Sequence, residues 1–164
     1  MTEDAKSIVE IRLAEMGLRL PPALPARGSY EPWSVAGDLL LISGQGPFRD
    51  GAFVHNGVIG RDISVAQGYE AAQMTALNLI AQVKAACDGD LGRVVRAVKL
   101  LGFVRSVEHF TEHPAVVDGA SDLLQKVFGT RGRHSRSAIG VASLPFGICV
   151  EIEAIFEISD RPVG

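Results

Sequence analysis

Cysteine is nearly missing from this chain: Cys87 and Cys149 are the only two in 164 residues. They stand far apart, without Cys-x-x-Cys spacing and without a Cys/His cluster, which excludes a disulfide framework or a zinc site and leaves buried free thiols as the expectation. Aromatic residues make up only 6% of the chain against 47% hydrophobic overall, so the core must be mainly aliphatic. A basic excess is missing too. With 16 basic and 19 acidic residues and a net charge of -3, the chain lacks the cationic footprint that neutralises phosphates, and no nucleic-acid partner is expected. The longest apolar run, Leu39 to Ile42, is far too short to span a membrane. The N-terminus is acidic and amphipathic, unlike a basic targeting segment leading into an apolar one, so a cytoplasmic location is expected. What is present is enough apolar sequence for one core of ordinary domain size.

From Asp4 to Met16, Val9, Leu13 and Met16 recur at helical spacing, with Thr2 as candidate cap and Gly17 as the stop. Pro21, Pro22 and Pro25 then interrupt any regular element. Residues 1–24 are therefore expected to form an N-terminal helix and Pro-rich linker, and residues 25–160 the domain proper. Tyr30 to Ala36 and Leu39 to Ser43 flank Gly37-Asp38, a pair suited to a two-residue hairpin turn. The second run is wholly apolar, as in a strand covered on both faces. Val65, Tyr69, Ala72, Ala76, Leu79, Ile80, Val83 and Cys87 make a helical stripe capped by Ser64 and stopped by Asp88-Gly89. Val94 to Val104 predicts a central strand, with Gly102 as a candidate bulge. A second helix is expected from Pro114, with Val116, Ala120, Leu123, Leu124 and Val127 on its apolar face and Gly129 beyond it. Arg136 to Ala142 and Ile148 to Ile158 read as two final strands forming a hairpin, the last alternating apolar residues with Glu151, Glu153 and Glu157. The order predicts an α+β domain, with two main helices packed on one face of a sheet.

Within that final pair of strands stand one arginine and one carboxylate. If Ala138 lay opposite Glu151, Arg136 and Glu151 would be diagonal neighbours on one face, and a slip of one residue would separate them across the sheet. The residues alone leave that register open. They also leave open whether Arg136 grips a ligand carboxylate with its planar fork or sits in an ordinary salt bridge, and whether Glu151 activates water or lines a solvated face.

The stretch Ser135-Arg136-Ser137-Ala138-Ile139-Gly140-Val141-Ala142-Ser143-Leu144-Pro145, followed by Val150-Glu151-Ile152-Glu153-Ala154-Ile155, resembles the signature of the Rid (RidA/YjgF, reactive intermediate deaminase) family, formerly endoribonuclease L-PSP. Tyr30, seven residues before Gly37, and the strand end Ser43-Gly44-Gln45-Gly46-Pro47 are in step with the same family. The resemblance runs from about Pro25 to Ser159 and implies a chorismate-mutase-like fold with a mixed sheet, assembled as a homotrimer with clefts between subunits. It implies hydrolysis of 2-imino and 2-enamino acids to keto acids and ammonia, with neither metal nor organic cofactor. By position, Arg136 would bind the substrate carboxylate and Glu151 would position the attacking water. Tyr30, Ser43, Gly44, Ser121, Ala138 and Pro145 would complete the ligand site.

Departures from the family pattern mark a divergent subgroup. Ala138 stands where many members carry Cys, Ser121 replaces a helix Asn, Gly140 replaces Glu or Gln, and Ser143 replaces Arg. The N-terminal helix is an addition. Three functions therefore stay open: an imine deaminase, a non-catalytic binder of small carboxylates on the same scaffold, and an RNA binder or ribonuclease using Arg131, Arg133, His134 and Arg136. That basic cluster has no aromatic stacking platform beside it, and solvated loop charge is its plainer reading. His55, His109, His113 and His134 show no metal-binding spacing. Ser43 has no triad partner, and Gly44-Gln45-Gly46 lacks the Lys and Ser/Thr of a phosphate loop. Trp33 could face the ligand or pack on the N-terminal helix.

Overall fold

Ser64 begins the longest helix for the reason its position suggests. Its hydroxyl accepts the Gln67 backbone N–H at 3.1 Å while the Gln67 side chain accepts the Ser64 N–H at 3.0 Å, so α2 (Val65–Ala86) opens on a reciprocal capping box. The structure, a computed structural model, describes residues 7–163. α2 stops where Asp88 and Gly89 both take positive φ, 54° and 92°, and the Gly89 N–H returns to the Lys84 carbonyl. The next helix, α3 (His113–Phe128), has Pro114 in its first turn, where a missing N–H costs no helical bond. Its predicted stripe Val116, Ala120, Leu123, Leu124 and Val127 is buried throughout. α2 and α3 press together at Gly119, where a Cβ would collide with the Tyr69 carbonyl oxygen and lie 3.2 Å from Ala72 Cβ. Beside that contact the Tyr69 hydroxyl donates to Asp122 at 2.8 Å.

Both helices lie on one face of a five-stranded sheet made of β1 (Trp33–Ala36), β2 (Leu39–Gln45), β7 (Val150–Ile158), β5 (Val94–Arg105) and β6 (Ser135–Val141), in that spatial order. β1 and β2 form the expected hairpin, with Ala36 opposite Leu39 across Gly37-Asp38 and Gly37 at φ 60°. β2 corrects one expectation. Leu40 and Ile42 face the helices and are buried, but Leu39 and Leu41 are 40% and 37% exposed on the opposite face. The same open face carries Ile139, 45% exposed, whereas Val35, on the edge strand, pairs with Leu40 and lies on the helix side.

The larger correction concerns the last two strands. β6 and β7 do not form a hairpin, because β5 lies between them. β6 runs parallel to β5, reached through α3 as a crossover, and β7 pairs antiparallel with β5 on its other side. Arg136 is paired with Leu100, whose side chain is buried under the helices, whereas Glu151 is paired with Phe103 on the open face. The two side chains therefore emerge from opposite faces of the sheet. Gly102 is no bulge either: it sits in register between Ala138 and Ile152, and the irregularities fall at Val94/Arg96 and Ala97/Lys99. Its lack of a side chain makes room for Val117, whose Cγ2 would be 2.6 Å from a Cβ.

A small second hairpin, β3 (Phe48–Arg49) with β4 (Ala52–Phe53), turns on Asp50-Gly51, both at positive φ. The N-terminal helix α1 (Ile8–Glu15) is capped by Ser7 in a capping box with Glu10. Thr2 and the expected first turn from Asp4 lie outside the described residues. Val9 and Leu13 are buried in the main core, and Arg12 donates to the Val127 carbonyl at the end of α3. Cys87 and Cys149 are buried free thiols, the latter raised to about 11 by burial. No helix among the described residues is long and apolar enough to cross a membrane.

Candidate functional site

The residues singled out by sequence fall into two clusters. The first surrounds a cavity of about 310 Å³ at the end of β2, lined by Tyr30, Gly44, Pro145 and Glu151. The β2–β7 pairing shifts register between Ile42 and Gln45, and Gly44 consequently lies against the Glu151 side chain. A Cβ at Gly44 would collide with Glu151 Oε1 and stand 2.9 Å from its Cδ, so the Glu151 carboxylate can hold this position only because residue 44 has no side chain. Burial, reinforced by the neighbouring charge of Glu153, raises the Glu151 carboxyl above its ordinary range. Such a carboxyl can both take a proton from water and return it.

That shift fixes a sign. A carboxyl whose folded pKa is raised contributes stability below its ordinary value of 4.5, and the contribution is lost as pH rises through the folded value. Glu151→Gln is therefore expected to raise the melting temperature near pH 7 and to match the parent near pH 4. An equal difference at both pH values, read in thermal melts, would remove burial of the charge as the cause.

Ser43 does not line this cavity. Its hydroxyl donates to the Glu31 carbonyl at 2.7 Å and its N–H to Pro32 at 3.0 Å, so it ties down the segment that carries Tyr30. Trp33 packs against the core, away from the cavity. The back of the site is held by two side chains that sequence reasoning missed, the buried Asn78 and Gln82 of α2. Asn78 Nδ2 donates to the Gly46 and Phe48 carbonyls at 3.1 and 2.9 Å, and Gln82 Nε2 donates to the Leu24 carbonyl at 2.8 Å. Two amides spaced i, i+4 inside an apolar helical face were the available signal. The aromatic wall, Phe48, Phe53 and Phe146, was missed as well.

The second cluster sits on the helix side of the edge strand β6. Arg136 Nη1 donates to Asp118 Oδ1 at 2.7 Å and to Ser121 Oγ at 3.0 Å. Among the described residues its Nε and Nη2 make no hydrogen bond, which leaves the bidentate edge of the guanidinium unused. Since Arg136 can only donate, the Ser121 hydroxyl directs its own proton to His134 Nε2 at 3.0 Å, and His134 Nδ1–H donates to the Gly132 carbonyl at 2.7 Å. Burial, with a smaller push from Arg136, holds His134 below its ordinary pKa, consistent with this neutral tautomer. Ser121 thus works together with His134 to hold the arginine. Ala138, two residues along the same strand, packs against the core. Arg131 donates to the Val94 carbonyl, so the basic cluster is largely spent on internal contacts. Among the described residues no three His, Cys, Asp or Glu side chains converge as metal ligands would.

Comparison with known proteins agrees with this architecture. The family model described as "YjgF/chorismate mutase-like, putative endoribonuclease" matches residues 10–155. Protein TCP17 of Trypanosoma cruzi is 42% identical over 161 residues, covering 98% of this chain and 100% of the relative. A solved structure from Agrobacterium tumefaciens, of unknown function, superposes with a TM-score of 0.87 at 47% identity, covering 93% of each chain. The YjgF gene product of E. coli is more distant, with a TM-score of 0.56 at 26% identity over 82% of this chain and 92% of that one. With most of its length matched and the helix-backed mixed sheet in common, the chain belongs to the YjgF/chorismate mutase-like (Rid) family.

Proposed function

We propose that the protein acts as a homotrimer in which the Glu151 cavity of one subunit is completed by Arg136 of the partner subunit, and that this composite cleft binds small 2-imino or 2-enamino carboxylates and hydrolyses them to keto acids and ammonia. The observation that carries this reading is the separation of Arg136 and Glu151 onto opposite sheet faces, with β5 between their strands. One chain cannot bring the cation and the carboxylate to one ligand. The exposed Leu39, Leu41 and Ile139 supply an apolar sheet face for the assembly that would.

The chemistry asks little of the protein. The iminium carbon is already electrophilic, so orientation of substrate and water provides much of the rate. Arg136 would hold the substrate carboxylate through its free guanidinium edge. Glu151 would take a proton as water adds to the carbon, and return it to the nitrogen as the C–N bond breaks and ammonia leaves. Its raised pKa suits both halves of that exchange.

The non-catalytic reading rests on Ala138 and Ser121, which stand where the resemblance implies Cys and Asn; the pairing of Arg136 with Asp118 favours instead an ordinary ion pair. The RNA reading is weakened by the internal bonding of Arg131, His134 and Arg136. Assay of ammonia and keto acid from freshly generated 2-imino acid separates the first two, since a binder shows ligand-dependent stabilisation with zero turnover. Leu41→Glu should convert the trimer to monomers in sedimentation and remove turnover with it. A monomer that retained full activity would rule out the shared cleft.

A further inference from the structure

We infer that the cavity beside Glu151 is shaped for an aromatic group, so that the substrates of this protein are aryl-substituted imino carboxylates, not the smallest ones; the inference rests on the carboxylate-binding role proposed above. Phe146 carries the argument. Its backbone is held at φ 58°, ψ 10°, a conformation that costs a bulky residue about 1–3 kcal/mol and persists only where the surroundings enforce it. The enforcement is visible: Gly57 N–H and Arg105 Nη1 both donate to the Gly147 carbonyl, at 3.1 and 3.0 Å, and Asn56 Nδ2 donates to the Phe146 carbonyl at 3.4 Å. Yet the strain does not bury the ring, since Phe146 remains 61% exposed. It displays the ring at the cavity.

There the ring joins an aromatic wall. Phe146 stacks on Phe53 with centroids 5.4 Å apart and planes 19° apart, and Phe53 meets Phe48 edge-on at 5.2 Å. Arg27, just beyond the Pro-rich linker, lays its guanidinium 5.2 Å from the Phe146 centroid and 5.8 Å from that of Phe48. Among the described residues Arg27 has no ion-pair partner, so its planar cation is available to a further π face. The Gln82 bond to Leu24 anchors this linker from the helix side. The volume allows it: about 310 Å³ leaves room for a six-membered ring beside a three-carbon acid.

Calorimetric binding of two stable keto-acid probes tests the assignment. Phenylpyruvate should bind the parent protein at least about tenfold more tightly than pyruvate, as an aromatic ring gaining stacked partners does. Phe146→Ala should lower that ratio about tenfold, and Arg27→Gln by a smaller factor of about threefold. Equal affinities for the two probes in the parent, or a ratio that both variants leave untouched, would overturn the aromatic assignment. Arg136→Ala keeps the two readings apart. Loss of both probes in that variant, with no aryl preference in the parent, removes only the aromatic assignment; unchanged binding of both removes the carboxylate cleft on which it rests.

Discussion

Replacing Arg136 by alanine is expected to weaken binding of a keto-acid carboxylate by about 2–4 kcal/mol, roughly 30- to 1,000-fold, the cost of deleting one member of a hydrogen-bonded charge pair. Two effects compete for this side chain. If Arg136 served only its ion pair with Asp118, whose side chain is 49% exposed, its removal would cost the fold about 0–1 kcal/mol and change no affinity. If it grips the ligand, stability changes little and affinity collapses. Arg136→Lys should fall between parent and alanine, because an ammonium supplies the charge without the planar fork. Titration calorimetry reads the affinity and thermal melting the stability. A folded Arg136→Ala variant that binds as the parent does would reduce Arg136 to a structural ion pair.

The largest stability effect is expected at Gly119, and its sign is the informative part. Glycine to alanine inside a helix ordinarily stabilises by about 1 kcal/mol through propensity. Here the added Cβ would collide with the carbonyl of Tyr69, a backbone atom of α2 that no rotamer change can move aside. Overpacking costs about 1–3 kcal/mol and occasionally more; against a fixed backbone atom the upper end of about 3 kcal/mol applies, so Gly119→Ala should be destabilising by about 2 kcal/mol net. The melting temperature should fall by about 4–8 °C for a chain of this size. Gly102→Ala should cost less, since its Cβ meets only the methyl ends of Val117. A Gly119→Ala variant as stable as the parent would mean that α2 and α3 can separate freely. Asp118 and Ser121 flank Gly119 on α3 and hold Arg136, so the same substitution should also loosen the arginine.

The helices were legible because their signals are local. Ser64 with Gln67, the Asp88-Gly89 stop and Pro114 act within a turn or two, and the apolar stripes they frame are the buried faces observed. The β1–β2 hairpin was legible for the same reason, through Gly37-Asp38. The β3–β4 hairpin carried an equally local Asp50-Gly51 signal, but strands of two residues have no alternation to read. Among site residues, Tyr30, Gly44, Pro145 and Glu151 do meet at one cavity. Arg27, Phe146, Asn78 and Gln82 escaped notice because each acts through partners distant in sequence.

By itself, the sequence determined the α+β class, the order of the main helices and strands and the buried face of the last strand, since periodicity and caps depend on near neighbours. Only the tertiary structure decided which strands adjoin. Arg136 and Glu151 sit on consecutive strands, and alternation alone allowed them to be neighbours. The α3 crossover makes β6 a parallel edge strand, and the insertion of β5 beside β7 sends the two side chains to opposite faces. Strand adjacency is set by how crossovers pack onto a shared core, a long-range property that no local period encodes.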